Sequence, residues 1–230
     1  KALRMDDLRD EIKERINSGK IMMLNPIRQP DWAEKRVVKV CKDERFVGKT
    51  IAEIAKELKV EPLDAFLRVI MADPWTKSVS LGTGPVDDWV KLGYFKHPRM
   101  MIGCDTFAVD EKMESVHPPW MLPNENSYGG MARYLRRAVR EAGVVTLEEA
   151  VRKITSQPAG KFKMTDRGLV KAGAYADIVV MNPKTISDKG DQLVPRKYAE
   201  GVEHVIINGA FVIRNREHTG ALPGKILYRE

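Results

Sequence analysis

The chain has 230 residues, of which 43% are hydrophobic and 31% charged, and its formal net charge is +7. This composition is typical of a globular protein with a sizeable core and excludes a disordered chain. Its apolar runs are far shorter than the roughly 20 residues of a membrane helix, so we expect no membrane partner. Two cysteines, Cys41 and Cys104, form no disulfide framework, which favours a cytoplasmic location. No signal peptide opens the sequence. Because its first residue is Lys1 and not an initiator Met, we expect the sequence to be cut from something longer.

The positive net charge is compatible with nucleic-acid binding. Acidic and basic residues are interspersed along the chain, however, which favours solvated helix faces with local ion pairs. The sequence contains no zinc finger, RNA-recognition signature or basic tract. We therefore expect no nucleic-acid partner.

Helical periodicity predicts a helix over residues 1–20, and an apolar run predicts a strand over residues 37–40. Thr50 and Glu53 form a capping box at the start of a helix. Pro62 starts the next helix, because its missing N–H is not needed in a first turn.

The pattern then alternates between strands and helices. We predict strands at residues 78–81 and 99–103, and helices at 86–95, at 128–141 and from Thr146. Thr146 and Glu149 form a second capping box at the start of the last of these helices. The order predicts a parallel α/β layer. Two parallel strands do not make a stable sheet by themselves, so we expect further strands to come from polypeptide outside this sequence.

After Pro158 the apolar period changes to two. This pattern predicts a strand over residues 176–181 and a hairpin over residues 202–214 that turns at Asn208 and Gly209, a pair typical of type I′ turns. We therefore expect a separate antiparallel β module after the α/β layer.

Asp105 is the main candidate for chemistry. It follows the predicted strand over residues 99–103, and in α/β proteins sites are built at the carboxyl ends of strands. A carboxylate there can transfer a proton or help to bind a metal. The alternative is a structural role as a helix cap or loop hydrogen-bond acceptor. Its neighbour Cys104 is either a small buried apolar residue or, less simply, a nucleophile.

Metal-binding patterns are missing from the sequence. No HxH, HExxH or CxxC is present, and the four histidines are far apart. This chain alone therefore cannot assemble the three or four ligands of a zinc site. No glycine-rich loop has the spacing of a phosphate-binding motif.

Several stretches, taken in order, resemble one family. They are residues 99–105, His117-Pro118, residues 128–136, 146–156, Pro158-Ala159, 166–168, 173–180, 205–209 and 218–224. Together they resemble the carboxyl-terminal half of the N-acyl-D-amino-acid deacylases, a branch of the amidohydrolase superfamily.

The resemblance implies an α/β fold, namely the last part of a distorted (β/α)8 barrel plus strands of a small β-sandwich. Asp105 would take a proton from a metal-bound water and pass it to the leaving amine, and is itself a possible metal ligand. Zinc would be held mainly by residues that precede this sequence. The substrate would be an N-acyl amino acid or related amide. His117, Tyr128 and Arg133 are candidate substrate-binding residues.

The implied domains are a barrel helix at 1–20, a small insertion near the substrate pocket at 21–60, the last βα units of the barrel at 61–157, and a β-sandwich portion at 158–230. Partners would be the missing amino-terminal half and, in a homo-oligomer, further copies. Two departures bear on the substrate. The run His117-Pro118-Pro119 replaces the family's His-Pro-Arg, and Cys104 replaces a smaller residue.

Two other functions stay open. One is a cyclic amidohydrolase of the dihydroorotase or hydantoinase kind. The other is a non-catalytic module that binds or assembles with a partner through its β tail.

This sequence expressed by itself is expected to lack hydrolase activity and either to aggregate or to copurify with its other half. Activity assays and size-exclusion chromatography check this prediction. A soluble, monodisperse and active product would contradict it.

Overall fold

A computed structural model describes residues 2–19, 31–80, 93–106 and 123–228. The chain divides into two compact units. The first comprises Lys1–Gly84 and Val109–Leu122, and the second comprises Pro85–Ala108 and Pro123–Glu230. Each unit is described by itself.

The first unit mixes short helices with one pair of strands. Its elements are α1 (Asp6–Asn17), α2 (Trp32–Lys35), β1 (Arg36–Val40), α3 (Ile51–Leu58), α4 (Pro62–Ala72) and β2 (Lys77–Ser80). Single 3₁₀ turns occur at Ala2–Arg4 and Glu44–Phe46.

The start signals of α3 and α4 are confirmed. The Thr50 hydroxyl accepts a hydrogen bond from the Glu53 backbone N–H, while the Glu53 carboxylate accepts one from the Thr50 N–H. Pro62 occupies the first turn of α4. The two helices pack in one core that includes Val38, Ile54 and Val69. The predicted domain boundary between residues 60 and 61 thus lies inside this unit.

The strands of the first unit are antiparallel, with Val37 opposite Val79. The parallel layer was predicted for the strands at 78–81 and 99–103; β2 instead pairs with β1, and this antiparallel pairing was not predicted. Periodicity locates a strand but carries no information about the direction of its partner. Here α3 and α4 lie between β1 and β2 in sequence and return the chain beside β1 in the reverse direction.

The second unit begins with helices. Helix α5 (Asn126–Tyr134) continues directly as a π-helical segment, Leu135–Glu141, and is followed by α6 (Leu147–Ile154) and α7 (Ser156–Lys161). A 3₁₀ turn at Tyr94–Lys96 precedes them. Pro158 lies inside α7, so the β module begins later than predicted.

A four-stranded antiparallel sheet completes this unit. Its strands are β3 (Ile178–Met181), β4 (Val202–Ile207), β5 (Ala210–Arg214) and β6 (Glu217–His218), and they pair in that order. The hairpin between β4 and β5 is confirmed. Asn208 and Gly209 have φ angles of 48° and 82°, both in the left-handed region that a type I′ turn requires.

The predicted strand over residues 99–103 is wrong, because these residues are irregular. A strand requires a hydrogen-bonded neighbour, and within the described ranges the two sheets are β1–β2 and β3–β6. The apolar pattern therefore indicates a segment whose side chains are packed, and not a strand that pairs with a neighbour.

Some predictions lie outside the described residues. His117 and residues 21–30 of the predicted insertion lie wholly outside them. Residue 81 of the predicted strand 78–81 and residues 86–92 of the predicted helix 86–95 do so as well. In the described part of the chain, no helix has both the length and the apolar character needed to cross a bilayer.

The replacement of Gly209 by alanine is expected to lower the free energy of unfolding by about 1 kcal/mol or more, because a Cβ is strained at positive φ. Gly224 is the matched control, since its φ is not in the left-handed region and no atom lies within 4 Å of an added Cβ. Urea unfolding followed by circular dichroism compares Gly209→Ala with Gly224→Ala. Equal stability of the two variants would contradict the assigned turn.

Candidate active site around Asp105

Asp105 lies in the irregular segment of residues 100–106, and its side chain is exposed. The described residues of this segment and of the neighbouring helices determine where the carboxylate is held. The geometry of the site is therefore the geometry of this segment and of the helices beneath it.

The first support of Asp105 is the beginning of α5. A Cβ built on Gly130 would lie 2.6 Å from the Cys104 Sγ, so only glycine allows the thiol to approach the helix this closely. On the other side of Asp105, the Thr106 hydroxyl forms a hydrogen bond with the Ser127 hydroxyl. The residues before and after Asp105 are thus both attached to one helix.

Cys104 has the structural role that its size suggests. The side chain is half-buried, and burial raises the pKa of its thiol. A raised pKa disfavours the thiolate, which is the nucleophilic form. The geometry therefore supports a packing role for Cys104 over a nucleophilic one.

The second support is α6. The Lys153 ammonium donates to the carbonyl oxygens of His97 at 2.6 Å and Met100 at 3.2 Å. The Ile102 backbone N–H donates to the Lys153 carbonyl at 3.3 Å. Lys153 therefore contacts the segment through both its side chain and its backbone.

Two further donors reach the same turn. Arg152 and Gln157 each donate to the Pro98 carbonyl oxygen at 3.0 Å. A carbonyl oxygen has two lone pairs, so the Pro98 oxygen can accept both hydrogen bonds. The turn before Asp105 is consequently fixed at three carbonyls, those of residues 97, 98 and 100.

The capping box predicted at the start of α6 is only half formed. Thr146 accepts from the Glu149 backbone N–H at 3.2 Å, as predicted. The Glu149 carboxylate pairs with Arg152 at 2.7 Å and with Lys153 at 3.1 Å. Hydrogen bonds from Arg152 and then Lys153 lower the pKa of Glu149 to about 2.

The structure places Arg133 in an ion-pair network. Its guanidinium donates to Asp188 at 2.8 Å and to Glu125 at 3.2 Å, and Arg136 donates to the other oxygen of Asp188 at 2.8 Å. Burial raises the pKa of Asp188, but the bonds from Arg136 and Arg133 outweigh it and hold that pKa below the usual value. A Cβ on Gly129 would lie 2.8 Å from the Asp188 Cβ, so this glycine admits the carboxylate to the helix.

Arg133 thus has structural partners already, and its substrate-binding role stays a prediction. Tyr128 lies one turn earlier on α5, with its ring 5.6 Å from that of Tyr198. The structure places Tyr128 and Arg133 on α5, the helix beside the segment that carries Asp105.

The described residues do not form a metal site. No group of three or more His, Cys, Asp or Glu side chains in these ranges could hold a metal ion. His97 accepts a hydrogen bond from the Arg99 N–H through its Nδ1, and His204 does the same for Asn215. Both histidines therefore have local structural roles.

Comparison with known proteins agrees with this arrangement. Residues 103–213, which contain Asp105, α5, α6 and most of the sheet, match the Amidohydrolase family. N-acyl-D-glutamate deacylase of Alcaligenes xylosoxydans xylosoxydans is 38% identical over 136 residues, or 59% of this chain and 26% of that protein. D-aminoacylase of the same organism is 34% identical over 129 residues, or 56% and 25% of the two chains.

This part of the chain is therefore similar to the D-aminoacylase-like amidohydrolases. It spans about a quarter of the length of the curated relatives that it matches.

Solved structures show the same similarity. The crystal structure of a D-aminoacylase matches this chain with a TM-score of 0.62 and 29% identity, covering 81% of this chain and 36% of the other. N-acyl-D-glutamate deacylase from Bordetella bronchiseptica, complexed with zinc and a phosphonate inhibitor, matches with a TM-score of 0.60 and 25% identity, covering 89% and 43%.

The sequence analysis did not identify Lys153 as a site residue. The sequence contained two signals that could have identified it. Lys153 lies three residues after the buried Ala150, on the same helical stripe, and four residues after Glu149. A lysine on an apolar stripe with an acidic partner one turn earlier indicates a buried, paired ammonium.

The Glu149 pairs are expected to make stability depend on pH. Its pKa is lowered from 4.5 to about 2, so the stabilisation is fully present above about 4.5 and disappears as the pH falls toward 2. Glu149→Gln should therefore be less stable than the wild type at pH 6, and the difference should vanish near pH 2. Urea unfolding across this range measures it.

Glu148→Gln is the control for this prediction, because Glu148 is exposed in the same first turn. A stability difference for Glu149→Gln that persists unchanged at pH 2 would rule out the proposed ion pairs as its cause.

Proposed function

We propose that this chain belongs to a metal-dependent hydrolase that cleaves the C–N amide bond of N-acyl-D-amino acids. The observation that carries the proposal is the fixed, exposed carboxylate of Asp105 within the part of the chain that matches the amidohydrolases. The similar curated proteins are deacylases of N-acyl-D-glutamate and N-acyl-D-aspartate and a D-aminoacylase. The substrate class follows from them.

Asp105 has the properties required of a general acid and base. Its carboxylate is exposed, so a water molecule or substrate can reach it, while contacts at Cys104 and Thr106 hold the backbone on either side. A positioned carboxylate can accept a proton from the attacking water and return it to the leaving amine. We assign both transfers to Asp105.

We include zinc in the proposal because a similar protein was solved with zinc and a mimic of the tetrahedral intermediate. The described residues by themselves do not fit a metal, because they contain no group of three suitable ligands. The zinc ligands are therefore assigned to other residues of the protein, with Asp105 as a possible additional ligand.

The finer description of the fold is also a proposal. The segment of residues 100–106, irregular by itself, would take the place of the last barrel strand once it pairs with strands from polypeptide outside this sequence, with α5 as the following helix. The sheet β3–β6 would form part of a β-sandwich. The exposed Val179 on one face of β3 supports this, because it is 58% exposed and would be covered by a second sheet.

The substrate-binding assignments remain with His117, Tyr128 and Arg133. Two of the similar deacylases act on acidic D-amino acids, which need a cation for the side-chain carboxylate. Arg133 already binds Asp188 and Glu125, so it would have to exchange one of them to bind a substrate carboxylate. The geometry therefore favours a cation other than Arg133 for this task.

Asp105→Asn, made in the protein expressed from its complete reading frame, is expected to lower kcat by about 10²–10⁴-fold, because an amide cannot transfer the proton. Release of free amino acid from N-acetyl-D-glutamate, N-acetyl-D-aspartate and N-acetyl-D-leucine measures the activity, with added zinc.

Asp166→Asn is the matched control, since Asp166 is an exposed aspartate of the same unit. An unchanged kcat for Asp105→Asn would remove this carboxylate from the mechanism. If the wild-type protein hydrolyses cyclic amides or no amide at all, the deacylase proposal is wrong.

A further inference from the structure

Lys153 is a buried cation in a chain whose other lysines lie largely at the surface. Its side chain is 0% exposed. An unpaired ammonium in the interior would be strongly destabilising, so every buried lysine must have compensating partners. Those partners show what the ammonium is used for.

The ammonium has three partners, which match its three N–H donors. They are the His97 carbonyl at 2.6 Å, the Met100 carbonyl at 3.2 Å and the Glu149 carboxylate at 3.1 Å. Glu149 lies on the same helix and balances the charge. The two carbonyls belong to a different part of the chain, the turn that precedes Asp105.

The turn has few other bonds among the described residues. Arg152 and Gln157 donate to the Pro98 carbonyl, and the Met100 N–H donates to the His97 carbonyl at 3.1 Å. Lys153 supplies three bonds to the segment, two through its ammonium and one through its carbonyl, which accepts from the Ile102 N–H.

An apolar residue at this position would remove the ammonium donor from the Met100 carbonyl and leave the His97 carbonyl with only its bond from the Met100 N–H. A buried pair can often be replaced by apolar residues at little cost in stability when both partners are replaced, but backbone carbonyls cannot be removed. The lysine is thus retained for the segment that it holds, which leads to Asp105.

We propose that Lys153 is a positioning residue for the Asp105 carboxylate. It fixes the carbonyls of His97 and Met100, and through them the backbone that enters the site, while Cys104 and Thr106 fix the backbone around Asp105 itself. This inference rests on the proposed role of Asp105 in proton transfer.

The experiment is a double-mutant cycle in the complete, zinc-loaded protein. Lys153→Met keeps the length of the side chain and removes the ammonium. It is expected to lower kcat by about 10–100-fold with little change in KM, the effect of a misplaced reacting group. In an Asp105→Asn background, the same substitution should lower kcat no further, because the group that it positions is already lost.

Conservative and destabilising variants separate positioning from loss of stability. Lys153→Arg keeps the charge and should restore part of the kcat lost in Lys153→Met. Thr146→Ala removes the cap of the same helix without touching the turn, so it should lower the thermal midpoint but leave kcat unchanged. If Lys153→Met does not fold, Lys153→Gln supplies the kinetic comparison, since its amide retains two donors.

Three results overturn the proposal. They are wild-type kcat in a folded Lys153→Met or Lys153→Gln variant, an equal fall of kcat in the Asp105→Asn background, and a fall in Thr146→Ala as large as that in Lys153→Met. Failure of the proposed function is read separately, from the Asp105→Asn single variant, which would then retain wild-type kcat.

Discussion

The candidate site depends on how two helices hold the irregular segment of residues 100–106, which pairs with no strand among the described residues. Residues 100–106 obtain their hydrogen bonds and contacts from two helices, α5 on one side and α6 on the other. The most consequential of these contacts is the buried Lys153 ammonium, because it satisfies two backbone carbonyls and needs Glu149 to compensate its charge. A carboxylate that is to transfer a proton must be held in place, and these contacts hold its backbone.

The local signals of the sequence were sufficient wherever the structure is determined by neighbouring residues. The capping box of Thr50 and Glu53 and the turn at Asn208 and Gly209 both form as predicted, since every bond and φ angle involved lies within a few residues. Helix boundaries followed from the same kind of information. The resemblance to amidohydrolases was likewise carried by short motifs in order, and the match over residues 103–213 confirms it.

Features set by distant contacts could not be predicted in this way. The apolar run before Asp105 looked like a strand, but strand formation depends on a partner that the pattern does not contain. The Glu149 carboxylate was expected to cap α6, but Arg152 and Lys153 attract it with full charges that a backbone N–H lacks. Arg133 was expected to bind a substrate, and the residue that binds it, Asp188, lies 55 positions later in the chain.

The carboxylate of Asp188 attaches the β module to the helix beside the Asp105 segment. Its two oxygens are bound separately by Arg133 and Arg136, which lie one helical turn apart, and Gly129 lets its Cβ reach the helix backbone. Arg140 adds bonds from the same helical stretch to the carbonyls of Pro183 and Ile186. A change in the loops of the β module would therefore be transmitted through this helix to the backbone around Asp105.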